Sequence, residues 1–450
     1  MTLKLPAEAQ KIINKMKKAG FECYAVGGSV RDLLMGNPTK NWDFTTNATP
    51  EQIQEIFPDS YYENKFGTVG IPLETKNQGL RTKDREKELY EITTYRTEWG
   101  YEDKRHPTVV KWGKSLEEDL ARRDFTINAI ATDGKEIIDP YNGQKDIQEK
   151  IIKAVRDPKE RFSEDALRMM RAIRVATELQ FLIDPLTFEA IKQNSHLIKQ
   201  ISGERIRDEL VKILKSDHPA DGMLLLHNSG LLVQISPEIE KGYGLSQAGH
   251  HIYDVFKHSL ESLRFCPSKN WLVRLATFLH DIGKPVVVKY KEGKPTFYNH
   301  EVVGAAIVKN IANSLHFGRF DREKLYILVR WHMFSVSEFL TDAAIRRFIR
   351  RVGKENVNEI MDLRIGDRLG GGCLTETSWR LRKLQQRVIE VQKHVPSVND
   401  LKVDGNDVMK TLGIRPGPKV GQVLNQLFEE VIEDPKKNNR DYLLKRIKEL

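Results

Sequence analysis

The stretch FECYAVGGSVRDLLMGNPTKNWDFTTN, residues 21–47, decides how the chain begins to fold. Residues 21–26 carry aromatic and β-branched side chains in a short apolar run, which predicts a strand. Gly27 and Gly28 follow; with no Cβ the backbone turns tightly there and its bare amides can approach a ligand at the start of a helix. That helix continues past Arg31 and is stopped by Gly36 and Pro38. Residues 41–47 read as a second strand, on which Asn41 and Asp43 share one face because side chains alternate with period two. A glycine pair alone fits an ordinary strand-turn-helix. The second strand raises the alternative, a phosphate cradle in which two oxygen-bearing side chains hold Mg²⁺ and Arg31 adds a fixed positive charge.

Outward from this stretch the first 140 or so residues stay mixed α and β. Residues 66–74 and 89–96 read as strands, and residues 49–57 as a helix with Thr49 as cap, Pro50 in the first turn and Gln52 completing a capping box. The first 20 residues form an amphipathic helix rather than a signal peptide. Residues 76–89 are charged and poor in apolar side chains, as in a solvated excursion between strands. From Pro158 onward the apolar period is helical almost throughout. A chain of 450 residues, 40% hydrophobic and 30% charged, has the composition of a globular protein with several cores. No apolar run approaches the roughly 18 residues that span a bilayer, so a cytoplasmic protein without membrane contact is expected. Cys23, Cys266 and Cys373 have neither metal-ligand nor disulfide spacing, which suits a reducing compartment. The net charge of +9 favours a polyanionic partner, weakly by itself.

Two later runs carry chemistry. In RRDFTINA, residues 122–129, Arg122, Arg123 and Asp124 form either a salt-bridge cluster or a phosphate and ribose contact. In SEDALRMMRAIR, residues 163–174, Asp165 and Arg168 are three apart. On one helix they are neighbours, offering acceptors and donors in a plane, or simply an exposed ion pair. Further on, His251, Asp254 and His258 recur at three and seven, as on one helical face. His280 and Asp281 in HDIGK, His300, His332 and Asp367 follow, with Lys284 as a phosphate neighbour. Imidazoles and carboxylates spread over helices suit a metal centre that activates water.

The order of GGSVRD, the strand bearing Asn41 and Asp43, RRDFTINA and SEDALRMMRAIR resembles the class II tRNA nucleotidyltransferases, or CCA-adding enzymes, and their bacterial poly(A) polymerase relatives. The resemblance is strong over residues 20–230 and continues through an HD-type region to the C-terminal helices. It implies an α+β chain: a small mixed α/β nucleotidyltransferase head at 1–150 and a helical neck with the nucleotide-reading helix at 151–235. An HD metal-binding body at 236–372 and a helical tRNA-binding tail at 373–450 complete it. The activity implied is template-independent addition of CMP and AMP, from CTP and ATP, to the tRNA 3′ end, with no obligate protein partner.

For the site, the resemblance implies Asp43 and Asn41 as catalytic Mg²⁺ ligands. The nucleotide is held by Gly27, Gly28, Arg31, Arg122, Arg123, Asp124 and Asn128, with Asp124 accepting from the ribose 2′-hydroxyl. Asp165 and Arg168 read the base, kept rigid by Glu164 and Arg171. Residues 96–107 resemble the loop that helps switch specificity from C to A. The family strand carries two aspartates; here Asn41 replaces the first and brings no charge, and Glu91 is a candidate for the missing carboxylate. His258, His280, Asp281 and Asp367 match the HD phosphohydrolase ligand set for a divalent metal. Related enzymes use such a domain on 2′-phosphates and cyclic phosphates. In residues 413–421, GIRPGPKVG, backbone amides and Lys419 meet RNA phosphate, or the run is a tight interhelical turn. The rival readings are a CC-adding, A-adding or poly(A)-adding specialist, and an HD phosphohydrolase whose impaired head only binds RNA.

Overall fold

The computed structural model describes residues 3–39, 41–62, 67–72, 89–99, 109–113, 115–247, 252–334, 340–373, 375, 379–392 and 398–450. The chain divides into two compact units, Met1–Pro237 and Glu238–Leu450. Among the described residues no helix is long and apolar enough to cross a membrane.

The first unit is built on a seven-stranded sheet in the order Tyr61–Tyr62, Thr68–Pro72, Leu89–Thr94, Asp43–Thr46, Cys23–Val26, Ala131–Thr132, Ile137–Ile138. Neighbours are antiparallel except Asp43–Thr46 beside Leu89–Thr94, which run parallel with Asp43 in register with Glu91. Register partners face the same side of a sheet, so these two carboxylates project together. On the strand entering the sheet, Trp42 and Phe44 are buried at 1% exposure while Asn41 and Asp43 are exposed, as period-two alternation requires. Trp42 and Phe44 meet Ile12, Ile13 and Met16 from one face of helix Ala7–Lys18, together with Ile53, Val69 and Ile92, in a single core. Thr49 caps helix Pro50–Ile56 with the reciprocal Gln52 bond, and Pro50 fills its first turn.

Residues 96–107, read from sequence as a loop, are in part strand: Arg96–Trp99 pairs antiparallel with Val109–Trp112. Residues 100–107 and the charged run 76–88 lie outside the described residues. Among the described residues the helical region after Pro158 is interrupted by strand Leu182–Ile183, which pairs in parallel with the preceding Ile151–Ile152, and by a hairpin of Lys289–Lys291 with Lys294–Thr296. Short strands of this kind carry too few residues for a period to register in sequence.

The expectation of one continuous helix through Asp165 and Arg168 is corrected. Helix Pro158–Glu164 ends at Asp165, whose extended backbone, φ −138° and ψ 104°, precedes a second helix, Leu167–Leu179. The Asp165 Oδ1 accepts from the Leu167 amide at 3.0 Å, so a side chain able to bond nearby backbone competes with the helix and breaks it.

The second unit is helical around a core that includes Phe256, Leu260, Leu275, Phe278, Leu325 and Leu328. Helix Val357–Gly370 lies close on helix Val255–Arg264 because Gly366 and Gly370 face it. A Cβ at Gly370 would stand 2.4 Å from the Ser262 amide nitrogen. Toward the C-terminus, Val408, Leu427, Val431, Leu443 and Ile447 join helices Gly405–Leu412, Pro418–Glu433 and Arg440–Glu449.

Candidate active site and metal centre

Gly27 joins strand Cys23–Val26 to helix Gly28–Leu34 with φ 80° and ψ −147°, a region that is essentially glycine's own. A Cβ there would also stand 3.2 Å from Arg123 Nη1 and 3.4 Å from Asp43 Oδ2. The turn, a carboxylate and a guanidinium thus converge on one point. Asp43 keeps accessible surface, yet desolvation by its surroundings raises its pKa, with Arg123 pulling the other way. Arg123 is tied to Asp119 by Nη2 at 3.2 Å, and its buried Nε has no hydrogen-bond partner. Asp119 also takes Arg122, at 2.9 and 2.6 Å. Burial alone would raise the Asp119 pKa; the two arginines outweigh it and hold the carboxylate charged.

Asp119 was not singled out from the sequence. Its three- and four-residue offsets from Arg122 and Arg123 were the available signal.

Arg31, expected to face a triphosphate, is engaged: Nη1 donates to Asn128 Oδ1 at 3.0 Å, and Nε and Nη2 to Asp32 at 2.9 and 2.7 Å. Asn128 Nδ2 donates to Asp124 Oδ1 at 3.2 Å, which also accepts from the Phe125 amide. The other oxygen accepts from Arg171 Nε at 2.8 Å and from its Nη2. With four donors already on Asp124, a ribose hydroxyl reaches it by displacing one of them. Burial opposes the charge on Asp124, but Arg171 and Asn128 depress its pKa far below the usual carboxylate range.

The Asp165 and Arg168 residues are joined by a backbone bond, the Arg168 amide to the Asp165 carbonyl at 3.0 Å, but their side chains are anchored to different partners. Asp165 receives Arg205 from helix Gly203–Lys215 at 2.7 and 3.3 Å. Arg168 donates to Glu164 at 2.6 Å and to the carbonyls of Arg161 and Arg122 at 3.2 and 3.1 Å. Glu164 therefore braces Arg168, and Arg161 also bonds to Glu164. Arg171 braces Asp124 instead of the expected pair. Arg205, forty residues from Asp165, carried no sequence signal.

In the second unit six side chains converge. His258 Nε2 lies 3.2 Å from His280 Nε2 and 3.2 Å from Asp367 Oδ1. Asp281 Oδ2 stands 3.2 Å from His280 Nε2, while its Oδ1 stands 3.2 Å from His300 Nε2 and 3.9 Å from His332 Nε2. Two ligand trios result, His258/His280/Asp367 and Asp281/His300/His332, joined through the two oxygens of Asp281. The resemblance-based set held four of these and omitted His300 and His332. Three imidazoles donate Nδ1–H to the carbonyl three residues earlier: His280 to Thr277 at 2.7 Å, His300 to Phe297 at 2.8 Å and His332 to Val329 at 2.7 Å. That fixes each ring with Nε2 toward the centre, the orientation a metal ligand needs. The nitrogen and oxygen donor set fits divalent metal. Burial would deprotonate His280, yet Asp281 and Asp367 hold its proton to about 10; burial and His280 push His332 down to about 3. The site thus collects positive charge even from a proton.

Gly283 of HDIGK packs where helix His300–Ser314 begins; a Cβ would stand 2.1 Å from the His300 carbonyl oxygen. Close approach of these two backbones brings His300 to Asp281.

Two sequence expectations change here. Lys284 is buried, bonding Asp281 Oδ2 and Gln247 Oε1 at 2.6 Å each, so it neutralises Asp281 rather than awaiting phosphate. Asp254 is the N-cap of helix Val255–Arg264, accepting from the Lys257 amide at 2.7 Å, and belongs to neither ligand group among the described residues. His251 lies outside the described residues. In the tail, residues 413–417 form the turn between helices Gly405–Leu412 and Pro418–Glu433, with Lys419 exposed.

The Poly A polymerase head domain family matches residues 23–153, the RNA- and SrmB-binding site of polymerase A residues 180–242, the HD domain residues 251–370, and tRNA nucleotidyltransferase domain 2 residues 352–447. The CCA-adding enzyme of Ligilactobacillus salivarius is 32% identical over 99% of this chain and 98% of its own length. That of Lactococcus lactis subsp. cremoris is 31% identical over 99% and 98%. The crystal structure of the Bacillus stearothermophilus CCA-adding enzyme in complex with CTP covers 98% of this chain and 96% of its own, with TM-score 0.69 and 28% identity.

Proposed function

The chain belongs to the CCA-adding enzymes, the tRNA nucleotidyltransferases, and from that premise we propose how its residues divide the work. It adds CMP and AMP to the tRNA 3′ end without a template, with CTP, ATP and tRNA as its partners. Nucleotidyltransferase and HD domains of this kind use divalent metals. Our reading assigns the head to residues 1–150, the neck to 151–235, the HD body to 236–372 and the tail to 373–450, in the cytoplasm, where three free thiols suit reducing conditions.

In the head, the tRNA 3′-hydroxyl oxygen bonds to the α-phosphorus of the incoming nucleotide. The bond from that phosphorus to the bridging oxygen breaks, pyrophosphate leaves, and the hydroxyl proton passes to solvent. The observation that carries this is the convergence of the Gly27 turn, Asp43 and Arg123 on one point. Arg123, held by Asp119, lies ready for phosphate. Asp43, Asn41 and Glu91 offer an oxygen-only donor set suited to Mg²⁺, which when bound stabilises charge developing on the phosphoryl oxygens. Asp165 and Arg168, fixed by Arg205 and Glu164, read the Watson–Crick edge of the base. Residues 96–107 take part in the change from C to A. In the tail, residues 413–421, the turn and the start of the helix that carries Lys419, meet tRNA phosphate.

The experiment is incubation of the purified protein with tRNA transcripts ending before C, CC or CCA and each labelled nucleotide. CMP should enter twice and AMP once; a protein that adds only one of them is a specialist, and one that adds neither has an impaired head. The second activity, hydrolysis of a 2′-phosphate or 2′,3′-cyclic phosphate, belongs to the HD centre. Water oxygen bonds to phosphorus, a phosphorus–ribose oxygen bond breaks, and that oxygen takes a proton. A protein with both His280→Ala and Asp281→Ala should lose this hydrolysis and keep nucleotide addition.

A further inference from the structure

We propose that Asn128 is a positioning residue that couples recognition of the ribose 2′-hydroxyl to release of Arg31 onto the triphosphate, so that the head grips a ribonucleotide more firmly than a deoxynucleotide. The inference rests on the reading of Asp124 as the acceptor of that hydroxyl.

Asn128 stands between the two groups. Its Oδ1 accepts from Arg31 Nη1 at 3.0 Å and its Nδ2 donates to Asp124 Oδ1 at 3.2 Å. Arg31 offers donors only and the ionised Asp124 acceptors only, so the amide has one orientation that serves both. Its backbone is pinned. The Thr126 amide donates to the Lys153 carbonyl at 2.9 Å, and the Thr126 hydroxyl donates to Asp146 Oδ2 at 2.6 Å. Gly143 packs so closely that a Cβ would stand 2.2 Å from the Thr126 carbonyl oxygen. The Asn128 side chain itself is buried. Nδ2 and Oδ1 belong to one planar group on that fixed turn, so a swing that takes Nδ2 off Asp124 turns Oδ1 away from Arg31.

Of the four donors on Asp124, Asn128 yields first. Arg171 holds Oδ2 through Nε at 2.8 Å and through Nη2, both bonds between opposite charges, and the Phe125 amide at 2.9 Å is fixed by the chain itself. The Asn128 bond has a neutral donor and is the longest of the four. An incoming hydroxyl donates to Asp124 Oδ1 and accepts from Asn128, which has to back away from the carboxylate to admit it. Arg31 then loses one partner and keeps another. Asp32 still holds its Nε and Nη2 at 2.9 and 2.7 Å, so the guanidinium stays oriented while Nη1 comes free. The freed group is at the cradle: a Cβ at Gly28 would stand 3.5 Å from Arg31 Nη2 and 3.9 Å from Nη1, next to the Gly27 turn where Arg123 and Asp43 meet. A deoxyribose leaves the Asn128 bonds intact and Arg31 occupied. Sugar and phosphates are thereby linked by a coupling free energy that Asn128 carries.

The test measures kcat and KM for CTP and dCTP on a tRNA transcript that lacks one C, with melting curves for each variant. The wild-type protein should favour CTP. N128L frees Arg31 whatever the sugar, so kcat/KM for dCTP should rise about tenfold, through KM, the scale of one hydrogen bond to a charged group. A merely structural change would lower it. R31M approaches the relay from its other end: CTP should lose about tenfold and dCTP clearly less, so the CTP/dCTP ratio falls by a similar factor. In N128L/R31M the dCTP gain should vanish. A ratio unchanged in either single variant overturns the relay, and so does a dCTP gain that survives in the double variant. If N128L is unfolded at the assay temperature, the R31M ratio decides alone. A wild-type protein indifferent to the 2′-hydroxyl removes the ribose reading of Asp124, and the relay with it.

Discussion

Replacing Asn41 by aspartate returns the charge that the strand lacks, and the sheet register sets the size of the effect. Asp43 and Glu91 are register partners on neighbouring parallel strands, about 4.8 Å apart in backbone spacing, and Asn41 precedes Asp43 by two residues, about 6.6 Å along the strand. Two unit charges at about 6.6 Å interact by about 2.5 kcal/mol at an effective dielectric near 20, and by about 1–2 kcal/mol once the accessibility of this face is allowed for. N41D should therefore destabilise the metal-free head slightly and regain that free energy on binding Mg²⁺. Half-saturating Mg²⁺ should fall about tenfold, since 1.4 kcal/mol is a factor of ten. If the charge acts mainly in the transition state, the rate should rise about 10²–10³-fold, as for other charge-stabilising contacts. Single-turnover CMP and AMP incorporation against Mg²⁺ concentration, with melting curves with and without Mg²⁺, measures both. Glu91→Gln completes a cycle: it should cost far more in the Asn41 protein than in the N41D background, because one cation then has another carboxylate. Equal losses in both backgrounds, with no change in Mg²⁺ dependence, would refute the view that the three side chains share a cation. D43N should abolish addition in either background.

Three other outcomes are expected. Mn²⁺ titration by calorimetry should give two equivalents at the HD centre, with His300→Ala or His332→Ala removing one and leaving CCA addition unaltered; a single equivalent in the wild type would refute the view that each ligand trio would hold its own metal. Asp165→Ala should relax selection against UTP and GTP by about 1–3 kcal/mol, the scale of a bidentate base contact, with tRNA affinity unchanged. Arg205→Ala should relax it in the same direction by less, and unchanged exclusion in both would remove the base-reading role. Acid stability should depend on the Lys17–Asp133 bridge: burial raises the Asp133 pKa, but its bonds to Lys17 and to the Glu136 and Lys135 amides depress it to about 2 from 3.8. Its contribution is complete above pH 3.8 and lost as pH falls toward 2. Lys17→Met should accordingly cost about 1 kcal/mol at neutral pH and almost nothing near pH 2, read from urea unfolding across pH.

The sequence by itself determined the parts whose information is local. Alternation around Trp42 placed Asn41 and Asp43 together on the exposed face, the Thr49 and Gln52 spacing set a helix start, and Gly27 marked a turn open only to a residue without Cβ. The same locality exposed the motifs through which the family could be recognised. Only the tertiary structure decided which long-range partners complete them. Sheet order brought Glu91 beside Asp43, and helix Gly203–Lys215 brought Arg205 to Asp165, both across some forty to fifty residues. Glycine-mediated contacts at Gly283 and Gly370 drew His300 and helix Val357–Gly370 inward, so the trio that holds Asp281 lies against the trio that holds Asp367. Where sequence spacing suggested a neighbour, as for Asp165 and Arg168, the Asp165 side chain accepting from the Leu167 amide accompanies a break in the helix, and each side chain takes a different partner. Period and capping are set by covalent geometry over a few residues, whereas ligand sets and charge pairs are chosen by packing, which one-dimensional spacing does not encode.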